Sequence, residues 1–350
     1  MQLPLPWKTR SPIGVEIGSR SLRAVQLVRE QSTWIIDAMT VVDRGDDDAL
    51  AADVKRLVES LSRRGFAGRD VVLAAPHDLL IRSEFDIDAS ADDQRVTDKA
   101  RRELAAMGKA ATDELQIGWW TLPQCGPPDR KNILAVGCRE SEAEQLLSCF
   151  DDAGLSVIAL ETPAQALARW TERFLPSRAT TFIALNVGWR ATYLSFVLDG
   201  RVAFERMIPG GSVESMHTTI RNQFGFDANE IDVLLTGNEL DTEAGGADLA
   251  NKLDSVIDAQ IGELREEIVS TVQYLSQRFS GRPMDLVVLL GEGAAIRGLD
   301  ERIASAIDMR VDRPTLATQE QCHGAAEEHA GHAALAIATG LASRTEGVAA

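Results

Sequence analysis

The sequence predicts a mixed α/β protein of two similar lobes, with a small α+β piece inserted in the first. Three observations lead there. Residues 13–27, IGVEIGSRSLRAVQL, are two apolar runs meeting at Gly18-Ser19, a β-hairpin with a small polar tip. Residues 182–198, FIALNVGWRATYLSFVL, repeat that pattern, with Glu16 falling on Asn186, Ile17 on Val187 and Gly18 on Gly188. Val25 falls on Tyr193 or Leu194 within one residue of slip. Each hairpin runs into a third β-rich stretch, 33–42 and 201–208, so a β-β-β unit occurs once in each half. Between the two copies, 79–155 reads as strand, helix, two strands and helix. A Gly tip exposes backbone N–H groups that can cradle a phosphate. One such tip is common in any fold, whereas two in facing lobes can hold a ligand between them.

Taken in order, residues 1–10 read as a loose arm, because Pro4 and Pro6 block regular structure. After the first unit, 43–48 is an acidic turn. Leu50, Val54, Leu57, Val58 and Leu61 then recur at helical spacing over 49–64, and Gly65 ends that helix. A buried strand at 71–75 stops at Pro76. In the inserted piece, 79–87 is a strand, and Ser90 with Asp93 has the form of a capping box for a helix carrying Val96, Ala100 and Leu104. Strands at 115–122 and 132–137 flank a Pro- and Gly-rich loop at 123–129. The run 141–144 caps a helix carrying Leu146, Leu147 and Phe150, which Gly154 ends. A strand at 157–160 returns to the main sheet. Thr162-Pro163 then opens a helix with Pro at its first position. Pro176-Ser177 links the lobes.

In the second lobe, Gly210, Gly211 and Ser212 precede a helix over 213–224, an anion-friendly corner or a plain strand-to-helix turn. A short helix at 227–235, an acidic Gly-rich loop at 239–246 and a long helix at 248–280, with a break near Gly262, follow. A buried strand at 286–290 runs into Gly291-Glu292-Gly293, where bare backbone can lie against a flat ring. Helices at 299–307 and 332–342 and a short strand at 309–311 complete the chain. The boundaries are 1–78, 79–155, 156–178, 179–235, 236–283 and 284–350.

Composition removes several classes of function. The chain has 350 residues, enough for about two domains, and its 45% hydrophobic and 25% charged content is that of a soluble globular protein. A net charge of −17 argues against sequence-independent nucleic-acid binding and against docking to anionic lipid by charge. Cys125, Cys138, Cys149 and Cys322 form no CxxC pair and no zinc spacing, which fits a reducing compartment. His323, His329 and His332 lack the Cys or acidic ligands that complete a metal site, and read as polar surface. No run approaches the ~20 apolar residues of a membrane span. The opening MQLPLPWKTR lacks the apolar core of a signal peptide. A cytoplasmic protein is expected.

The order of these pieces resembles the actin-like (ribonuclease H-like) nucleotide-binding superfamily, and within it the PilM family of type IV pilus assembly proteins. The carrying residues are 13–27, AVGCRESEAEQLLSCFDDAGLSVIALETPAQAL at 135–167, FIALNVGWRATYLSFV at 182–197, RMIPGG at 206–211 and VVLLGEGAAIRGLDERI at 287–303. The cytoplasmic domain of type II secretion L-type proteins and the division protein FtsA are similar too. Those relatives continue into a membrane span or end in an amphipathic helix, and the tail at 340–350 is neither.

The resemblance implies a two-lobed fold whose 79–155 insertion is the family's 1C-type subdomain, and a cleft that takes ATP with Mg²⁺. Glu16, Gly18, Ser19, Arg20, Ser21 and Arg23 would belong to the first phosphate loop, and Asn186 and Gly188 to the second. Gly210, Gly211 and Ser212 would lie near the ribose and phosphates, and Gly291 and Gly293 at the adenosine. The family's acids in the two loops are Glu16 and Asn186 here, its first-loop Lys is Arg23, its triple-Gly turn carries Glu292, and Val269-Ser270-Thr271 stand where relatives often have Arg. These departures argue against hydrolysis, so no catalytic residue and no metal ligand is assigned. The implied partner is a PilN-like bitopic inner-membrane protein, whose short cytoplasmic tail enters a groove beside the insertion. Pilus motor or platform proteins are further candidates. Localisation at the inner membrane would then come through the partner, without membrane insertion. The alternatives are a small-molecule kinase or ATPase of the same superfamily, or an FtsA-like filament former.

Overall fold

The computed structural model describes residues 9–30, 33–45, 49–123, 127–174, 181–208, 210–237, 246–279, 281–282, 284–314 and 333–344. The first lobe opens with β1 (Thr9–Arg10), β2 (Ile13–Ile17), β3 (Ser21–Glu30), β4 (Thr33–Asp43), α1 (Leu50–Arg63) and β5 (Asp70–Ala74). Then come β6 (Ile81–Asp88), α2 (Asp93–Gly108), β7 (Leu115–Thr121), β8 (Arg130–Arg139), α3 (Glu140–Asp151), β9 (Ser156–Glu161) and α4 (Pro163–Phe174). The second lobe contains β10 (Thr181–Val187), β11 (Thr192–Leu198), β12 (Arg201–Ile208), α5 (Val213–Phe224), α6 (Ala228–Thr236) and α7 (Gly246–Arg278). It ends with β13 (Leu286–Leu290), α8 (Leu299–Ile307), β14 (Arg310–Asp312) and α9 (Ala336–Ala342).

The two main sheets have one topology. The first runs β4-β3-β2-β5-β9, with β1 added to β3, and the second runs β12-β11-β10-β13-β14. In each, an antiparallel trio is followed by two parallel strands. The expected repeat is therefore a repeat of whole lobes. Its register is cleaner than the expected slip. Glu16 pairs with Arg23 and Asn186 with Tyr193, so Arg23 corresponds to Tyr193 and Val25 to Ser195. Alternating apolar positions repeat every second residue, so sequence alone leaves the alignment loose, and the ladder removes the ambiguity.

Strands β3 and β13 are buried on both faces, as sheets covered by helices on both sides require. One face of the first sheet packs Ile13, Val15, Leu22 and Leu73 against Val54 and Leu57 of α1 and Leu146 and Phe150 of α3. The other face packs Val25, Leu27 and Val72 into a cluster that includes α4 and α9 and continues through the second lobe. Helix α9, AIATGLA, is wholly buried. Its small residues let it lie against β2, where a Cβ on Gly14 would strike the Ala338 carbonyl, and against α4, where a Cβ on Gly340 would strike that of Ala166. The third sheet, β6-β8-β7, has its own core with Val96, Ala100 and Leu104 of α2.

Several local expectations change. Thr9 and Arg10 of the supposed loose arm pair with Arg29 and Val28. The α2 cap is Asp92, whose carboxylate accepts from the Arg95 amide at 2.9 Å, while the Ser90 hydroxyl donates to Asp88. Helix α3 starts at Glu140, behind Arg139, with no side-chain cap. Its Leu146 and Phe150 pack with α1 in the core of the first sheet. Helix α7 runs unbroken through Gly262, because seven residues from Leu253 to Leu275 bury into the core and outweigh the ~1 kcal/mol cost of one glycine. The loop at 239–245, the Pro176-Ser177 link, Cys125, Cys322 and the three C-terminal histidines lie outside the described residues.

Candidate nucleotide cleft

The two hairpin tips are built alike. Ile17 pairs with Leu22 and Val187 with Thr192, each across a four-residue connection. Gly18 N–H donates to the Ser21 carbonyl at 2.9 Å, and Gly188 N–H to the Ala191 carbonyl at 3.1 Å. The next two amides of each tip, Ser19 and Arg20 in one and Trp189 and Arg190 in the other, donate to no atom of the described residues. Both tips line one chamber of about 440 Å³ between the lobes, together with Glu16, Arg23, His77, Asn186, Tyr193 and Glu292. Unpaired amides on facing tips suit the oxygens of a phosphate chain.

A second chamber of about 400 Å³ adjoins the first, sharing Trp189, Gly291 and Glu292 with it. Its walls include Arg20, His217 of α5, Asp232 and Thr236 of α6, Ile296 and Arg313. At the junction, Gly291 has φ +82°, and a Cβ there would strike the Asn186 side chain and the Val187 carbonyl. Two adjoining chambers that share Trp189, Gly291 and Glu292 in their walls fit a ligand with a flat end and an anionic end.

The electrostatics are self-contained. Arg23, 7% exposed, donates to Glu16 at 3.3 Å and is ion-paired with Glu292 across the cleft. The Glu16 side chain is 13% exposed, and its buried Oε2 has no hydrogen-bond partner among the described residues. Burial pushes the Glu16 carboxyl above the usual carboxylate range, Arg23 pulls the other way, and Glu292 adds to the rise. Arg20 reaches Asp232 with two hydrogen bonds of 3.1 and 3.0 Å, its guanidinium 4.3 Å from the Trp189 ring centre. Trp189 meets His217 edge-on at 4.7 Å, and His217 Nε2 lies 3.0 Å from Asp232 Oδ1. Burial lowers the His217 pKa against the raising effect of Asp232.

At the far end, His77 stacks on Tyr193 with ring centres 3.5 Å apart. Burial, with Arg82 nearby, lowers its pKa to about 3, so the ring is neutral. Arg82 of β6 holds the buried Glu205 of β12 at 2.9 Å. Burial raises the Glu205 pKa, and Arg82 opposes the rise.

Of the sequence candidates, Glu16, Gly18, Ser19, Arg23, Asn186, Gly188 and Gly291 meet in the larger chamber, and Arg20 lines the smaller one. Ser21, Gly210, Gly211, Ser212 and Gly293 line neither. Gly210 and Gly211, both at positive φ, pack against Glu263 and Leu264 of α7, and Gly293 against Val187. The α5 N-terminus is already satisfied: the amides of Val213 and Glu214 donate to the Gly188 and Trp189 carbonyls, and that of Ser215 to Ser212 Oγ. The anion-friendly corner is thus a hairpin-to-helix lock. Sequence reasoning missed Trp189, His77, Tyr193, His217 and Asp232. Trp189 had a signal, since it follows Gly188 in the tip. Asp232 had none, being an ordinary polar residue of a short helix.

These residues fit a nucleotide through tip amides, two adjoining chambers and a guanidinium in each, Arg23 in the larger and Arg20 in the smaller. Among the described residues no group of three His, Cys, Asp or Glu side chains could hold a metal ion. A cation accompanying the phosphates would be met through phosphate and water, with the Glu16 carboxylate in the chamber wall.

The fold is shared with actin-like ATPases. A solved PilM–PilN type IV pilus biogenesis complex contains a chain similar to this one at TM-score 0.75 and 17% identity, covering 95% of this chain and 97% of that one. The ethanolamine utilization protein EutJ from Carboxydothermus hydrogenoformans is similar at TM-score 0.55 and 13% identity, covering 97% and 91%. No match is found among curated protein sequences. No helix among the described residues is long and apolar enough to cross a membrane. The sequence profile of the type IV pilus assembly protein PilM matches residues 14–346. With that match spanning both lobes, the insertion and α9, the chain belongs to the PilM family of type IV pilus assembly proteins.

Proposed function

We propose that this PilM-family chain is a cytoplasmic assembly protein of a type IV pilus or a related secretion machine. It binds the cytoplasmic tail of a PilN-like bitopic inner-membrane protein, which brings it to the membrane surface, and it holds ATP with Mg²⁺ between its lobes. The observation that carries the nucleotide reading is the pair of matched hairpin tips that line one chamber, with the amides of Ser19, Trp189 and Arg190 unpaired among the described residues. The PilN-like partner is supported by the family match and by the solved PilM–PilN complex that this fold resembles.

Turnover is not part of the proposal. Phosphoryl transfer needs a positioned base and free charge to stabilise the transition state. Asn186 is an amide, Glu16 is tied to Arg23, and Arg23 is neutralised by two carboxylates. A nucleotide held here biases the relative position of the lobes. The test is calorimetric titration with ATP and Mg²⁺, then a phosphate-release assay on the same sample. Micromolar binding without release is expected. Rapid release overturns the reading as an assembly protein, and absence of heat overturns the nucleotide half.

A further inference from the structure

Arg20 and Arg23 both leave the β2–β3 hairpin for an acid of the second lobe, yet they are held very differently. Arg23 and Glu16 are 7% and 13% exposed, and Arg23 serves two carboxylates. Breaking such a pair strands a charge in a dry site, so it stays made. Arg20 and Asp232 are 40% and 38% exposed, and a pair in that setting opens at little cost. The Arg20 guanidinium also lies over Trp189, which lines both chambers. A cation on an aromatic face can swing while keeping that contact. Its two-pronged grip on Asp232 is the one a guanidinium offers equally to phosphate. Asp232 keeps a second neighbour, with His217 Nε2 at 3.0 Å.

We propose that Arg20 is a partner-exchanging phosphate ligand: Asp232 holds it across the cleft, and the phosphate chain of a nucleoside di- or triphosphate takes it over. The ligand thereby replaces a direct tie between hairpin and α6 with one through itself, and Asp232 sets the affinity by competing for Arg20. This rests on the nucleotide reading above and adds to it the residue through which occupancy reaches the second lobe.

The experiment is a titration of the full chain with MgATP, and separately with magnesium tripolyphosphate, using wild type, Asp232→Asn, Arg20→Ala and the double variant. Melting curves verify that each is folded. Releasing Arg20 in Asp232→Asn should tighten both ligands about tenfold, and Arg20→Ala should loosen both about tenfold. The double variant should match Arg20→Ala, since the competition acts only through that side chain. If Arg20→Ala and Asp232→Asn tighten binding equally, the pair is only a clasp and the proposal falls. A loss with ATP but not with tripolyphosphate overturns the phosphate contact. Wild-type binding that Arg20→Ala leaves intact sinks this inference alone, while binding by none of the four proteins sinks the nucleotide reading with it.

Discussion

At the scale of single residues, the cleft shows how one acid sets the charge of its neighbour. Glu292 stands in the turn after β13 and takes Arg23 from across the cleft. Arg23 then faces two carboxylates and contributes little net positive charge. Glu292→Gly should leave Arg23 with Glu16 alone and tighten MgATP about tenfold, worth ~1.4 kcal/mol. Calorimetry checks this, and an unchanged affinity places Arg23 out of reach of the ligand. The same scale yields a pH prediction at His77. Its folded pKa of about 3 lies below the ordinary 6.5, so the unfolded chain binds the proton more readily. This histidine therefore lowers stability as pH falls from about 6.5 towards 3. Glu205, raised by burial, has the opposite slope above the ordinary carboxylate range. Comparing wild type with His77→Gln in urea melts across that window isolates the histidine. The variant should lose less stability on acidification, and identical slopes would show that His77 is not buried neutral.

At the scale of elements, α9 is the clearest case of packing set by small residues. It lies against β2 and α4 at positions where Gly14 and Gly340 have no Cβ. Gly14→Ala would push a methyl into the Ala338 backbone, which cannot give way as a flexible side chain does. A loss of about 3 kcal/mol or more is expected in chemical denaturation. Gly65→Ala, with open space around its Cβ but φ +82°, should cost only about 1 kcal/mol. Equal losses would mean that α9 is free to move off the sheet. The hairpin tips behave differently. A Cβ on Gly18 or Gly188 would sit 2.8 Å from the carbonyl that closes its own turn, so a side chain there distorts the tip itself.

At the scale of the whole molecule, the inserted sheet touches the second lobe as well as the first. Arg82 holds Glu205, Arg278 of α7 pairs with Glu84 of β6, and the Trp120 indole donates to the Val202 carbonyl at 2.8 Å. The ties differ in depth. Arg82→Ala leaves Glu205, 6% exposed, with its burial uncompensated, and should cost about 3 kcal/mol. Arg278→Ala removes a more exposed pair and should cost about 1 kcal/mol or less. Denaturant melts of the two variants separate the cases, and equal costs would show that Glu205 is hydrated.

Much of this protein was legible in its sequence. Both hairpin units, the inserted strands and helix, the Pro163 helix start and the buried β13 are set by local periodicity and by turn residues, which act within a few positions. The fold class followed from their order. Glu16, Asn186 and Glu292 were visible as letters. What those letters meant was decided only by the tertiary structure. Glu16, Arg23 and Glu292 form one ion-paired group, and Arg20 meets Asp232 more than two hundred residues away. Gly210 and Gly211, read from the sequence as ligand-facing, have Glu263 and Leu264 of α7 where a Cβ would stand. A glycine's positive φ is needed equally for a ligand and for a neighbouring helix, and a charge's partner depends on how the lobes face each other. Neither is written in the spacing of residues along the chain.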